Sequence, residues 1–111
     1  MSEEAARPSV THIDAVEAWE QDDENGGLFR MVWESDAVMV GLWKPGEVAG
    51  TRIEYRLDAD ETLVVLQGSG ELRVDGGEPI RLRPGVVVSL PSGCELSWLL
   101  EDDFRELWIC S

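Results

Sequence analysis

Histidine occurs once in the 111 residues, as His12, and basic side chains are scarce, with 9 Lys and Arg against 23 Asp and Glu. The formal net charge of −14 repels phosphate backbones and anionic lipid, which argues against nucleic-acid and membrane partners. Solubility alone is a sufficient reason for such acidity. Cysteine is limited to Cys94 and Cys110, which lie in separate segments without C-x-x-C spacing, so a zinc knuckle or thioredoxin-like site has no support. Two free thiols of an intracellular protein fit this pattern better than a disulfide. No apolar run approaches the length needed to cross a bilayer. The start, Met1 to Pro8, also lacks the basic and apolar parts of a signal peptide, and a soluble cytoplasmic protein is expected. Long helical periods and propeller-type repeats are missing as well.

What is present is a chain of short apolar runs punctuated by turns. With 43% apolar residues, the length suits one domain around one enclosed core. Residues 1–27 read as a polar lead-in ending in the acidic, glycine-rich run from Gln21 to Gly27. Within it, Thr11 and Asp14 resemble a helix start, with Val16 and Trp19 as a short apolar face, so one brief helix is expected. Residues 28–111 read as strands. Phe29 to Trp33 and Ala37 to Trp43 flank the turn residues Glu34-Ser35-Asp36. From Thr51 to Leu57 the chain alternates, placing Thr51, Ile53, Tyr55 and Leu57 on one side and Arg52, Glu54 and Arg56 on the other. Glu71 to Asp75 and Pro79 to Arg83 alternate about Gly76-Gly77, a pair able to supply positive φ angles. Eight or nine strands with regular turn signals predict an all-β sandwich or barrel.

Two stretches carry a family pattern. Glu61 followed after six residues by Gly68 matches the end of the first cupin motif. Gly85, followed by Pro91-Ser92-Gly93, matches the start of the second. Asp60-Glu61-Thr62, Leu66-Gln67-Gly68, Pro91-Ser92-Gly93 and Trp98 resemble markers of the small single-domain cupins that include ureidoglycine aminohydrolase-like and ethanolamine-utilisation cupin proteins. Gly41 to Gly46 and Phe104-Arg105 extend the likeness over roughly residues 37–109. The resemblance implies a double-stranded β-helix, or jelly roll, whose two motifs line one open barrel mouth.

Many cupins bind a divalent metal there through two histidines and a glutamate of the first motif and a histidine of the second. In this sequence the first pair of positions holds Tyr55 and Leu57, or Glu54 and Arg56 in the other register, and the second-motif position holds Leu96. Leucine offers no lone pair, and arginine brings a competing charge. Glu61 is the one ligand retained. His12, in the lead-in, reads as an exposed helix-start residue. A metal-free barrel with no cofactor is therefore expected.

Alternation points Tyr55, Leu57, Leu96, Trp98 and Glu61 into the mouth, making them the candidate ligand-binding residues. The mouth is then apolar and aromatic, with one carboxylate and one phenol. A carboxylate among such neighbours has its pKa raised by desolvation, which makes Glu61 the candidate catalytic acid or base. The alternative is a partly wet rim residue bonded to Tyr55 or Arg56. Tyr55 and Trp98 read either as stacking surfaces or as packing. Cys94 has no neighbouring base to activate it. Arg105 beside Glu106 reads as a solvated or paired strand position, with an interface role as the alternative. Trp19, Trp33, Trp43 and Trp108 lie outside the motifs and are expected partly to cover a second surface, which with unpaired sheet edges leads to a homodimer.

Three functions are compatible with these residues. One is a metal-independent cupin binding a small organic ligand, and another is an aminohydrolase-like or isomerase-like enzyme using Glu61 with Tyr55 positioning substrate. The last is an accessory protein with a filled barrel. A cavity beside Glu61 separates the first from the last.

Overall fold

The computed structural model describes residues 8–111. Ten strands follow in chain order: β1 (Glu20–Gln21), β2 (Leu28–Glu34), β3 (Met39–Lys44), β4 (Ile53–Arg56), β5 (Glu61–Gln67), β6 (Gly70–Val74), β7 (Ile80–Leu82), β8 (Val87–Leu90), β9 (Glu95–Leu100) and β10 (Arg105–Cys110). They form an antiparallel jelly roll of two sheets, one in the order β1-β2-β3-β10-β5-β8 and one in the order β4-β9-β6-β7. Every strand expected from the apolar runs is present. The addition is β1, which pairs the end of the acidic lead-in with β2 at the sheet edge.

The expected brief helix is a single 3-10 turn, Ile13–Ala15, and its cap is not Thr11. His12 takes that place, its Nδ1 accepting from the Asp14 N–H at 3.2 Å. The run from Val16 to Trp19 does not extend the turn because Val16 is already extended and Ala18 has a positive φ of 60°. Trp19 instead lies beneath the Lys44 ammonium, 4.4 Å from the ring centroid.

Between the sheets, alternation delivers one apolar face per strand. Leu63 and Val65 of β5, Leu72 of β6, Leu82 of β7 and Leu100 of β9 pack with Phe104 into a single core. Burying each of these large side chains contributes roughly 1.5–3 kcal/mol. On the outer face of the smaller sheet, Glu71 pairs with Arg52 and Arg73 at 3.5 and 3.3 Å. Partly exposed pairs of this kind contribute about 0–1 kcal/mol each.

Two turns depend on positive φ angles. At Gly68, φ is +76°, and a Cβ would meet the Phe104 backbone at 2.6 Å, so the end of β5 can lie directly against the chain entering β10. In the hairpin after β6 the positive φ angles belong to Asp75 and Gly76, not to the pair Gly76-Gly77. The Gly77 N–H closes the turn onto the Val74 carbonyl at 2.9 Å.

Candidate functional site

The two motif stretches meet through polar bonds on the outside of the barrel. Asp60 Oδ1 accepts from the Ser92 N–H at 2.8 Å, and the Thr62 and Ser89 hydroxyls lie 2.9 Å apart. With its neighbours on either side facing out, Glu61 faces in.

There it borders a cavity of about 520 Å³ between the sheets. Strand register sets out the cavity floor in rows. β5 and β10 pair Glu61 with Cys110, Leu63 with Trp108 and Val65 with Glu106. β10 and β3 pair Cys110 with Met39, Trp108 with Gly41 and Glu106 with Trp43. Glu106, Trp108 and Cys110 therefore succeed one another along the inner face of β10. Ile53, Tyr55 and Trp98 form the opposite wall, on β4 and β9. Gly41 is required here because a Cβ at that position would sit 2.4 Å from the Trp108 ring, which lies across the β3 backbone.

The acidic lead-in completes the rim. Trp43 Nε1 donates to the Gly26 carbonyl at 3.1 Å, and the Asp22 carboxylate accepts from the Glu24 and Asn25 N–H groups at 3.1 and 3.0 Å. These bonds hold Glu20, Asp22, Asp23 and Glu24 at the entrance.

The electrostatics follow from burial. Desolvation lifts the Glu61 carboxyl from its ordinary value near 4.5 to about 7. Glu106, 5% exposed, is raised well above the carboxylate range by burial first and by the Glu61 charge second. Burial is the one cause of the rise at Glu61. The Tyr55 hydroxyl is pushed far above its usual value, chiefly by burial and then by Glu61 and Glu106. Trp98 lies near enough to temper that rise, yet its Nε1 completes no hydrogen bond to Tyr55 or to any other group. Glu106 Oε1 is likewise buried and unpartnered. The Cys110 thiol is raised by burial, then by Glu61, Asp58 and Asp60, which makes it a poor nucleophile.

Of the residues singled out in the sequence, Tyr55, Glu61 and Trp98 converge on this cavity. Leu57 and Leu96 do not line it and belong to the apolar core instead. The mouth has not one inner carboxyl but two. Glu106, named from the sequence only as the neighbour of Arg105, is the more buried of the two. Arg105 points the other way, donating to the Ile13 carbonyl at 3.2 Å and lying 5.8 Å from the centre of the Trp19 ring. Trp43 and Trp108, two of the four tryptophans of which some were expected to cover a second surface, are cavity walls. The missed signal was the strict alternation of Phe104, Glu106, Trp108 and Cys110.

The donor set does not fit a nitrogen-ligated transition metal. At the inward positions that the cupin pattern gives to histidine stand a phenol held protonated by burial and two hydrocarbons, Tyr55, Leu57 and Leu96. Among the described residues, no three His, Cys, Asp or Glu side chains are grouped to hold a metal ion.

Residues 33–106 match the family described as Cupin_3, EutQ-like cupin domain. No curated protein matches the sequence. Among solved structures, the ethanolamine utilization protein Q of Salmonella typhimurium LT2 is similar at 18% identity and a TM-score of 0.71, over 93% of this chain and 91% of that one. The cupin domain of Schizosaccharomyces pombe Cnp3 is similar at 16% identity and a TM-score of 0.73, over 90% and 71%. The EutQ protein of Clostridium difficile is similar at 15% identity and a TM-score of 0.64, over 80% of this chain and 64% of its own length. At these identities the likeness shows the fold alone.

Proposed function

This chain belongs to the EutQ-like cupin domain family, and on that premise we propose that it binds a small organic molecule in the barrel mouth without a metal ion. The observation that carries this reading is the cavity itself. At about 520 Å³ it falls within the roughly 300–1,000 Å³ of small-ligand pockets, with aromatic walls and a few convergent polar groups. Trp98 Nε1 and Glu106 Oε1 reinforce it, because a barrel merely filled by its own side chains has no reason to bury both unpartnered. A fragment screen followed by the indole N–H signals tests the reading. Binders that move Trp98 and Trp108 are expected, and a screen in which binders perturb only the outer surface would overturn it.

A second reading, favoured by the neutral-range pKa of Glu61, is catalysis with Glu61 as general acid or base and Tyr55 positioning the substrate. Glu61→Gln would then abolish turnover with the fold intact. Retained turnover would contradict it.

Two expectations complete the reading. The free thiols Cys94 and Cys110 agree with a cytoplasmic setting. Exposure of Trp33 and Val87, on β2 and the edge strand β8, agrees with a homodimer, which sedimentation at increasing concentration would reveal.

A further inference from the structure

The mouth is lined by one sign of charge. Among the described residues its lining includes six carboxylic side chains and no lysine, arginine or histidine. The four at the rim would be unremarkable as solvated acids. Glu106 is different, being 5% exposed, within the cavity lining and without a partner for Oε1. A buried acceptor of this kind calls for a donor, and the described residues supply none.

The floor shows where that donor would sit. Glu61 pairs with Cys110, so the two inner carboxyls stand four residues apart in register, with Trp108 between them on the same face. Four residues span about 13 Å along a strand. Both side chains line the same cavity, together with an indole that Gly41 allows to lie across the sheet. An aromatic face flanked by carboxyls attracts a cation through both its quadrupole and its neighbours' charge.

We propose that the mouth selects a small organic cation bearing N–H groups, an alkylammonium or guanidinium ion, seated against Trp108 between Glu61 and Glu106. The inference rests on the small-ligand reading above and names the class of ligand. N–H groups are needed because a quaternary cation would leave Glu106 Oε1 unpartnered. An oxygen on the same molecule would accept from Trp98 Nε1, the other buried group without a partner. Beyond the six carboxyls, Tyr55 and Cys110 are the remaining titratable groups of the described lining. Neither becomes cationic, so neither competes with the ligand for the carboxyls.

Matched four-carbon probes test the inference on the whole chain. Butylammonium, neutral butyramide and butyrate are titrated at pH 7.5 while the indole N–H signals are followed. Butylammonium should move Trp98 and Trp108 and bind at least tenfold more tightly than butyramide, with butyrate excluded. Glu61→Gln should remove most of that preference, Glu106→Gln should reduce it, and neither should lower the melting temperature. Butyramide or butyrate binding in the mouth as tightly as butylammonium would overturn the charge selection and leave the small-ligand reading standing. A preference that survives in both Glu106→Gln and Glu61→Gln would also overturn it. Failure of all three probes to move either indole at tens of millimolar would sink this inference and the small-ligand reading together.

Discussion

At the closed end of the barrel Leu63, Leu72, Leu82 and Phe104 are 0% exposed and apolar throughout, whereas at the mouth Trp98 and Glu106 bury polar atoms almost as deeply and Tyr55 and Glu61 are half-buried. The same strands build both regions. β5 carries Glu61 and Leu63 two residues apart, and β9 carries Trp98 and Leu100 in the same way. The contrast teaches that stability is housed at one end, and the other end is left with groups whose partners the chain does not provide.

Substitutions at the two ends should accordingly differ in size and in sign. The largest effect is expected at the closed end, where Phe104→Ala should cost about 3–5 kcal/mol in urea unfolding. An effect nearer 1 kcal/mol would mean that the core is not concentrated there. The next is a pH dependence confined to the mouth. Because the folded-state pKa of Glu61 is raised from 4.5 to about 7, the folded protein keeps a proton that the unfolded chain releases. The associated stability is complete below pH 4.5 and is lost as pH rises through 7, a change of roughly 3 kcal/mol. Glu106, raised in the same direction, adds to the loss. Glu61→Gln should flatten the part of the profile below pH 7, and stability that instead rises over this range would contradict the assignment.

Replacing the buried carboxyl is predicted to act in the opposite direction from trimming the core. Glu106→Leu should raise stability at pH 8 by about 1–3 kcal/mol and abolish binding of butylammonium, since an unpartnered polar group costs about that much to bury. Destabilisation would indicate that Glu106 has a partner in solution. The smallest effect belongs outside the mouth. Arg105→Ala breaks the bond to the Ile13 carbonyl and uncovers Trp19, which should cost on the order of 1 kcal/mol and leave ligand binding unchanged.

The closed end was the easier region to read from sequence, and the reason is physical. Alternation of apolar residues in β5, β6 and β9 reports directly which face is buried, so Leu63, Val65, Leu72 and Leu100 fall where their periodicity puts them. Half of the mouth was legible by the same rule, through Tyr55, Glu61 and Trp98. Glu106 was not, because a charged residue beside an arginine reads as solvated, and charge outweighed the alternation of Phe104, Trp108 and Cys110. Trp43 and Trp108 escaped because facing the cavity depends on the pairing of β3 with β10, which joins segments some sixty residues apart. The closure of the rim by Asp22 and its neighbours depends on β1, two residues long and without a pattern of its own.

The contrast between the two ends rests on Glu61 and Glu106 being held in a water-poor mouth. Carbon-13 titration of the two side-chain carboxyls measures that directly. A midpoint near 7 for Glu61 and one well above 4.5 for Glu106 is the expected result. Ordinary midpoints near 4.5 for both would contradict it, since they would mean that water already satisfies the groups to which a ligand is proposed to bind.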